Sequence, residues 1–338
     1  MQIKVDENDI CNKEYIYLDW NVIKYMKEPR ENNYLFDMEF REVIKRSKTR
    51  YVYPFCEAHF MDRAHNFKEE YRELVYDDLY YLEEISEGYG IAQRLNSNQL
   101  GVVKYSLMDG FEKVLGRGKP ETDLSMYMPK MQPFYIDKKY MDANSMFYEK
   151  FDETNGYVNK EIFDQVAKAL IESSFSDIAI YKKMRENYGN SNKGETKTRE
   201  SDINKYYMEK IDIYFAKLRK ALSIVGDEEK LSLIWKDAII DAVSLHYEVR
   251  DENLRDLICV SYVLLDIHPD FREKLKKDKN TLDNILRDGK NIWYASQAKY
   301  FVTEDKNTRK KAEFIYKVFG CKVKVCSMSE FAAKFCFV

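Results

Sequence analysis

Tyr15-Ile-Tyr-Leu-Asp-Trp-Asn21 is the stretch on which the reading turns. Four residues of β-rich composition run into a carboxylate, and Val22, Ile23, Tyr25 and Met26 then continue as a short helix that Pro29 stops. The same hand-over recurs. Tyr51-Val-Tyr-Pro-Phe55 reads as a second strand leading into Cys56-Glu-Ala-His-Phe-Met-Asp62, which is helical in composition, and a long charged helical region follows to about Gly88. Towards the other end, Tyr300-Phe-Val-Thr303 runs into Glu304-Asp305. Arg309 to Phe319 then carries Ala312, Ile315, Tyr316 and Phe319 at helical spacing, closed by Gly320, and Lys322-Val-Lys-Val-Cys326 alternates as a further strand. Strand–helix–strand is the building unit of a parallel sheet.

The middle of the chain differs in kind. Residues 160–174, 206–225 and 231–250 show helix periodicity, with Ile211, Tyr214, Phe215, Leu218 and Leu222 on one face, and no convincing strand. Loops are marked at Gly116 to Pro120, at Asn155-Gly156 and from Tyr188 to Gly194. The expected architecture is α/β: a small parallel sheet of three-layer, Rossmann type built from residues 1–90 plus 281–338, with a large, mostly α-helical insertion over 91–280. Such an insertion is tolerated because closing a long loop costs little more than closing a short one.

Composition narrows the function classes. The 338 residues hold 55 Lys+Arg against 58 Asp+Glu, a net charge of −3, which removes the strongly basic coat of a protein held on duplex DNA by its overall field. The longest apolar stretch, Leu257 to Leu265, is half of the roughly 20 residues a bilayer crossing needs, so no membrane partner is expected. The opening residues carry neither a secretory core nor an Arg-rich transit pattern, and a cytoplasmic location is the expectation. Six scattered cysteines without a C-x-x-C pair read as reduced, buried thiols. With four histidines, none in zinc spacing, any metal would be held by carboxylates, pointing to Mg²⁺ or Mn²⁺.

In a parallel α/β sheet ligands gather at the carboxyl ends of the strands. Asp19 and Asp305 sit there, Glu57 or Asp62 follows the second strand, and Asp288 opens Asp288-Gly-Lys-Asn-Ile-Trp-Tyr-Ala-Ser296 ahead of the 300–303 strand. Four carboxylates in one cleft would repel one another unless a divalent cation neutralised them. These segments, Tyr17 to Ile23, Tyr53 to Asp62, Asp288 to Ser296 and Phe301 to Lys306 with its Thr303-x-Asp305 ending, resemble the ordered motifs of PIN-domain nucleases over under a tenth of the chain.

That resemblance implies a compact α/β fold whose acids bind one or two Mg²⁺ or Mn²⁺ ions and hydrolyse phosphodiester bonds, usually in RNA. It assigns Asp19, Asp288 and Asp305 as metal ligands, with Asn21 orienting Asp19. Of Glu57 and Asp62 it favours Asp62 as the fourth ligand, with His59 beside it. The chain departs from the family in Asn291, where relatives often carry His, and in the helical insertion.

Hydrolysis needs an activated water and charge stabilisation on the attacking and leaving oxygens, which two metals about 3.5–4 Å apart supply. Residues 281–338 carry 11 Lys+Arg against 6 Asp+Glu, and Lys306, Arg309, Lys310 and Lys311 follow Asp305, placed to grip phosphates. His59, Asn291 and Thr303 complete the expected substrate contacts. The expected activity is a metal-dependent endoribonuclease acting on single-stranded RNA, in a toxin-like or phage-defence role, with the insertion offering an arm for homo-oligomers. The rival from another class is a degenerate module of the same kind that binds RNA or a protein partner without cutting. A phosphatase of the haloacid dehalogenase type wants a second Asp where Asn21 stands, and no P-loop, G-x-G-x-x-G or G-x-S-x-G occurs.

Overall fold

A computed structural model describes residues 10–65, 67–94, 99–116, 134–135, 153, 157–158, 216–244, 254–273 and 282–335. The chain divides into two compact units. The first comprises Met1–Thr122, Asp251–Asp266 and Asp283–Val338, and the second Asp123–Arg250 and Ile267–Leu282.

In the first unit, β1 (Ile10–Cys11) precedes β2 (Ile16–Leu18), α1 (Trp20–Lys27), α2 (Tyr34–Ser47), α3 (Glu57–Ala64) and α4 (Arg72–Ser86). Then come β3 (Tyr89–Gln93), β4 (Leu100–Lys104) and α5 (Leu107–Gly116). In the second unit β5 (Phe134–Tyr135) pairs antiparallel with β6 (Tyr157–Val158), and α6 spans Glu228–Ser244. The first unit resumes with α7 (Leu254–Leu265), α8 (Leu282–Ala295), β7 (Tyr300–Val302), α9 (Lys306–Phe319), β8 (Lys324–Cys326) and α10 (Met328–Ala332).

The strands expected from the two chain ends pair as a parallel sheet in the order β2-β7-β8, with Ile16 opposite Tyr300 and Val302 opposite Cys326. Side chains alternate across it. Ile16, Leu18 and Val302 enter a core with Val22 and Met26 of α1, Phe40 and Ile44 of α2, Leu79 of α4 and Phe331 of α10. Tyr17 and Phe301, both wholly buried, meet at 5.7 Å between ring centres on the opposite face, where the Tyr17 hydroxyl reaches α8. Burial on both faces is what a parallel sheet requires, and each such aliphatic or aromatic side chain contributes about 1.5–3 kcal/mol. Helix α9 ends at Gly320, whose φ of 70° is the left-handed cap position that glycine takes without a Cβ penalty.

Two expectations are corrected. Residues 51–55 form no continuous strand: Val52 bridges Tyr15 of the parallel sheet, Phe55 bridges Gly90 of β3, and Pro54 between them has no N–H to give a ladder. The segment instead ties the parallel sheet to an antiparallel one, β1-β4-β3. Strands β3 and β4 also stand where the mostly helical insertion of 91–280 was expected to begin, and residues 91–122 and 251–266 fall in the same unit as the chain ends. The expected helix over 160–174 and the loops over 117–120, 155–156 and 188–194 lie outside the described residues.

Within the second unit, buried Trp235 of α6 meets His268 edge-on, and His268 Nε2 contacts the Ile224 carbonyl at 2.8 Å. Among the described residues no helix is long and apolar enough to cross a membrane.

Candidate functional site

Asp19 leaves the end of β2 and caps α1. Its backbone N–H donates to the Val302 carbonyl at 3.0 Å, so the ends of two adjacent parallel strands fix its position. Its Oδ1 accepts from the Trp20 N–H (2.7 Å), and its Oδ2 accepts from Asn21 Nδ2 and Thr303 Oγ1, both at 2.6 Å. Thr303 Oγ1 in turn accepts from the Asp305 N–H at 3.1 Å, which aims its own proton at Asp19. The other end of the Asn21 amide accepts from the Glu304 N–H at 3.2 Å. Both loops are thus cross-braced around one carboxylate. Burial pushes Asp19 up to about 6; the Thr303 bond pulls the other way, and the charges of Asp62 and then Asp305 add to the rise.

Asp305 caps α9 through Oδ1, which accepts from the Asn307 and Thr308 N–H groups at 2.8 and 3.0 Å, and it is exposed. Asp62 lies on α3. Burial raises its carboxyl, while Arg287, Arg63 and a bond from Asn291 oppose the rise. The Arg287 guanidinium stands beside it, Nε to Oδ1 3.5 Å. Between the two open candidates, Asp62 is the acid electrostatically joined to Asp19; Glu57 faces the Tyr294 hydroxyl at 3.4 Å and the Arg255 charge. Asp288 of α8 accepts from the Tyr262 hydroxyl of α7 at 3.4 Å.

Three expected substrate contacts are structural instead. His59 is 1% exposed, its Nδ1 accepts from the Cys56 N–H (3.2 Å), and its Nε2 therefore donates to the Leu18 carbonyl (3.0 Å). Burial pushes it down to about 4, so it is neutral and locks α3 onto the end of β2. Thr303 is spent on Asp19, as above. Asn291, 3% exposed, accepts the Tyr17 hydroxyl at 2.5 Å and positions Asp62. Of the basic run, Lys306 and Lys310 are exposed, Arg309 pairs with Glu330 at 3.0 Å, and Lys311 is wholly buried against Asp266, also at 3.0 Å. Lys311 therefore cannot grip a phosphate.

Tyr17, Tyr262 and Arg287 were not singled out from sequence. Tyr262 lay inside an apolar stretch, where nothing marks a hydroxyl as functional. Arg287 adjoins Asp288, and a cation beside a candidate acid was a readable signal.

The donor set suits a hard cation in kind, being carboxylate only, and a cation would relieve the electrostatic burden on Asp19. In placement the set is not closed: among the described residues, no group of three or more His, Cys, Asp or Glu side chains stands ready to hold a metal ion. Compared with family models, curated proteins and solved structures, the chain has no match.

Proposed function

We propose that this chain is a metal-dependent nuclease that hydrolyses phosphodiester bonds of single-stranded RNA. One observation carries the reading: Asp19, at the carboxyl end of β2 in a cross-braced frame, carries a charge made more costly by burial and by the acids Asp62 and Asp305, the latter just past the neighbouring parallel strand β7. Carboxylates crowded this way are costly to a fold and useful to a cation. Asp19, Asp62 and Asp305 would hold Mg²⁺ or Mn²⁺, with Asp288 on the adjoining helix as the fourth acid. When bound, such a cation lowers the pKa of water and stabilises charge on the attacking and leaving oxygens.

The chain's own residues do the rest. Thr303 and Asn21 hold the Asp19 carboxylate in one orientation, and Asn291 does the same for Asp62. Lys306 and Lys310, exposed on the first turns of α9, offer cations for the phosphates flanking the scissile bond.

The test is cleavage of labelled single-stranded RNA, single-stranded DNA and duplex DNA with Mn²⁺ or Mg²⁺, by the wild type, Asp19→Asn and Asp305→Asn. RNA cleavage that the metal switches on and both substitutions abolish is expected; cleavage indifferent to them removes the assignment. A second reading, a module that binds RNA or protein without cutting, draws on the unclosed acid group among the described residues. It predicts no carboxylate-dependent uptake of Mn²⁺ in calorimetry.

A further inference from the structure

Asp62 accepts from Asn291 and faces two guanidinium charges, Arg287 and then Arg63, of which Arg63 is paired with Asp78 at 2.8 Å and Arg287 is directed at Asp62 itself. The Arg287 pair is close but badly made. Nε lies 3.5 Å from Oδ1, and although it is buried it forms no hydrogen bond of acceptable geometry with any partner. Nη2 of the same guanidinium is turned back to Asn284 Oδ1, one turn earlier on α8. An arginine built to hold a carboxylate permanently would present two parallel N–H groups to it. Here the positive charge is delivered and the fork is not, in a pair whose side chains are only 12% and 19% exposed.

Charge sets Arg287 against any cation on the same oxygen. A Mg²⁺ or Mn²⁺ ligand distance is about 2.0–2.2 Å. A cation on Asp62 at that distance would stand within a few ångströms of a guanidinium that approaches the same oxygen. Two like charges that close in a partly buried site repel strongly. The two cations therefore compete for Asp62.

We infer that Arg287 is the built-in counter-ion of this acid pocket, holding Asp62 in the metal-free chain and being displaced from it when a divalent cation binds. The inference rests on the proposed function above and adds its regulation: the unclosed acid group is the Arg287-bound state, and metal uptake is a competition between two cations for Asp62. Arg287 weakens metal binding while keeping the empty pocket from carrying unbalanced charge.

The experiment is calorimetric titration of Mn²⁺ into the full chain, comparing the wild type with Arg287→Gln, Lys290→Gln and Asp19→Asn. Lys290 is the control for simple repulsion. It sits on the same helix with Nζ 3.6 Å from Met61 Sδ, beside Asp62 in sequence, and so carries a nearby positive charge without the carboxylate pairing. Arg287→Gln is expected to bind Mn²⁺ about fivefold more tightly than wild type, the size of one modest ion pair, and Lys290→Gln by less than half of that gain on a logarithmic scale. Arg287→Met serves the same comparison if thermal melting shows that the Gln variant does not fold. Equal or weaker binding by the Arg287 variants overturns the inference, and so does an equal gain from Lys290→Gln. If the wild type binds and Asp19→Asn does not, those failures leave the metal site standing. If neither the wild type nor the Arg287 variants take up Mn²⁺, the proposed function falls and the inference falls with it.

Discussion

Replacing Asp19 by Asn should make the metal-free protein more stable at pH 8 and less stable near pH 4. The wild-type carboxyl is pushed up from 3.8 to about 6 by burial and by its acidic neighbours. At about 1.4 kcal/mol per pH unit, the ionised form costs the fold about 3 kcal/mol. The sign follows from proton binding: between roughly pH 4 and 6 the folded state holds more protons at this site than the unfolded chain, so the penalty accumulates as pH rises through that window and is complete above it. Asparagine removes the charge but cannot satisfy every donor. Its one carbonyl oxygen serves either Thr303 and Asn21 at the Oδ2 position or the Trp20 N–H at Oδ1, and its amide then meets a donor, a loss of about 1 kcal/mol. The net is about 2 kcal/mol of stabilisation at pH 8 and about 1 kcal/mol of destabilisation where both forms are neutral. Urea unfolding in EDTA, followed by tryptophan fluorescence at several pH values, should show the two stability curves crossing between pH 4 and 6. If Asp19→Asn is the less stable protein at pH 8, the carboxylate is not a burden on the fold and the reasoning fails.

His59 runs the other way. Its pKa falls from 6.5 to about 4 on folding, so its contribution is present above about 6.5 and is lost as pH falls to 4; in the Asp19→Asn background, where the opposing carboxyl is gone, urea midpoints should drop more steeply across that window. Thr303→Val keeps the shape but removes the donor to Asp19 and the acceptor for the Asp305 N–H, and should cost about 1–3 kcal/mol in urea unfolding, whereas Thr303→Ser should cost less than 1. Lys311→Met strips the buried Asp266 carboxylate of its cation and should cost about 3–5 kcal/mol, most of it recovered when Asp266→Leu is added, as thermal or urea unfolding of the three variants will show.

What the sequence disclosed was whatever is decided within a few neighbouring residues. The run Tyr15 to Asn21 and the succession Tyr300 to Cys326 carry strand, cap and helix in local order, and both appear as β2-α1 and β7-α9-β8. Strands β3 and β4 were not legible, because Gly90-Ile-Ala-Gln93 and Leu100-Gly-Val-Val-Lys104 become strands through pairing with each other and with Phe55. The run 51–55 has strand composition, yet Pro54 splits it into two single bridges to different sheets. At the site, the positions of Asp19 and Asp305 follow from strand ends, while the approach of Arg287 to Asp62 and of Tyr294 to Glu57 depends on how α8 packs on α3, which no local pattern encodes. His59 beside an acid reads as a ligand until burial shows both nitrogens bonded. The burial of Lys311 is legible in the helix period: it falls at i and i+4 with Ile315 on the buried face of α9, while Lys306 and Lys310 fall outside that face.

The most direct test of the metal-dependent nuclease reading is a single time course: full chain with end-labelled single-stranded RNA, in Mn²⁺, in EDTA, and in Mn²⁺ with Asp19→Asn. Internal cleavage only by the wild type in Mn²⁺ is the result expected. Intact RNA in all three lanes, or cutting that persists in EDTA or in Asp19→Asn, contradicts it.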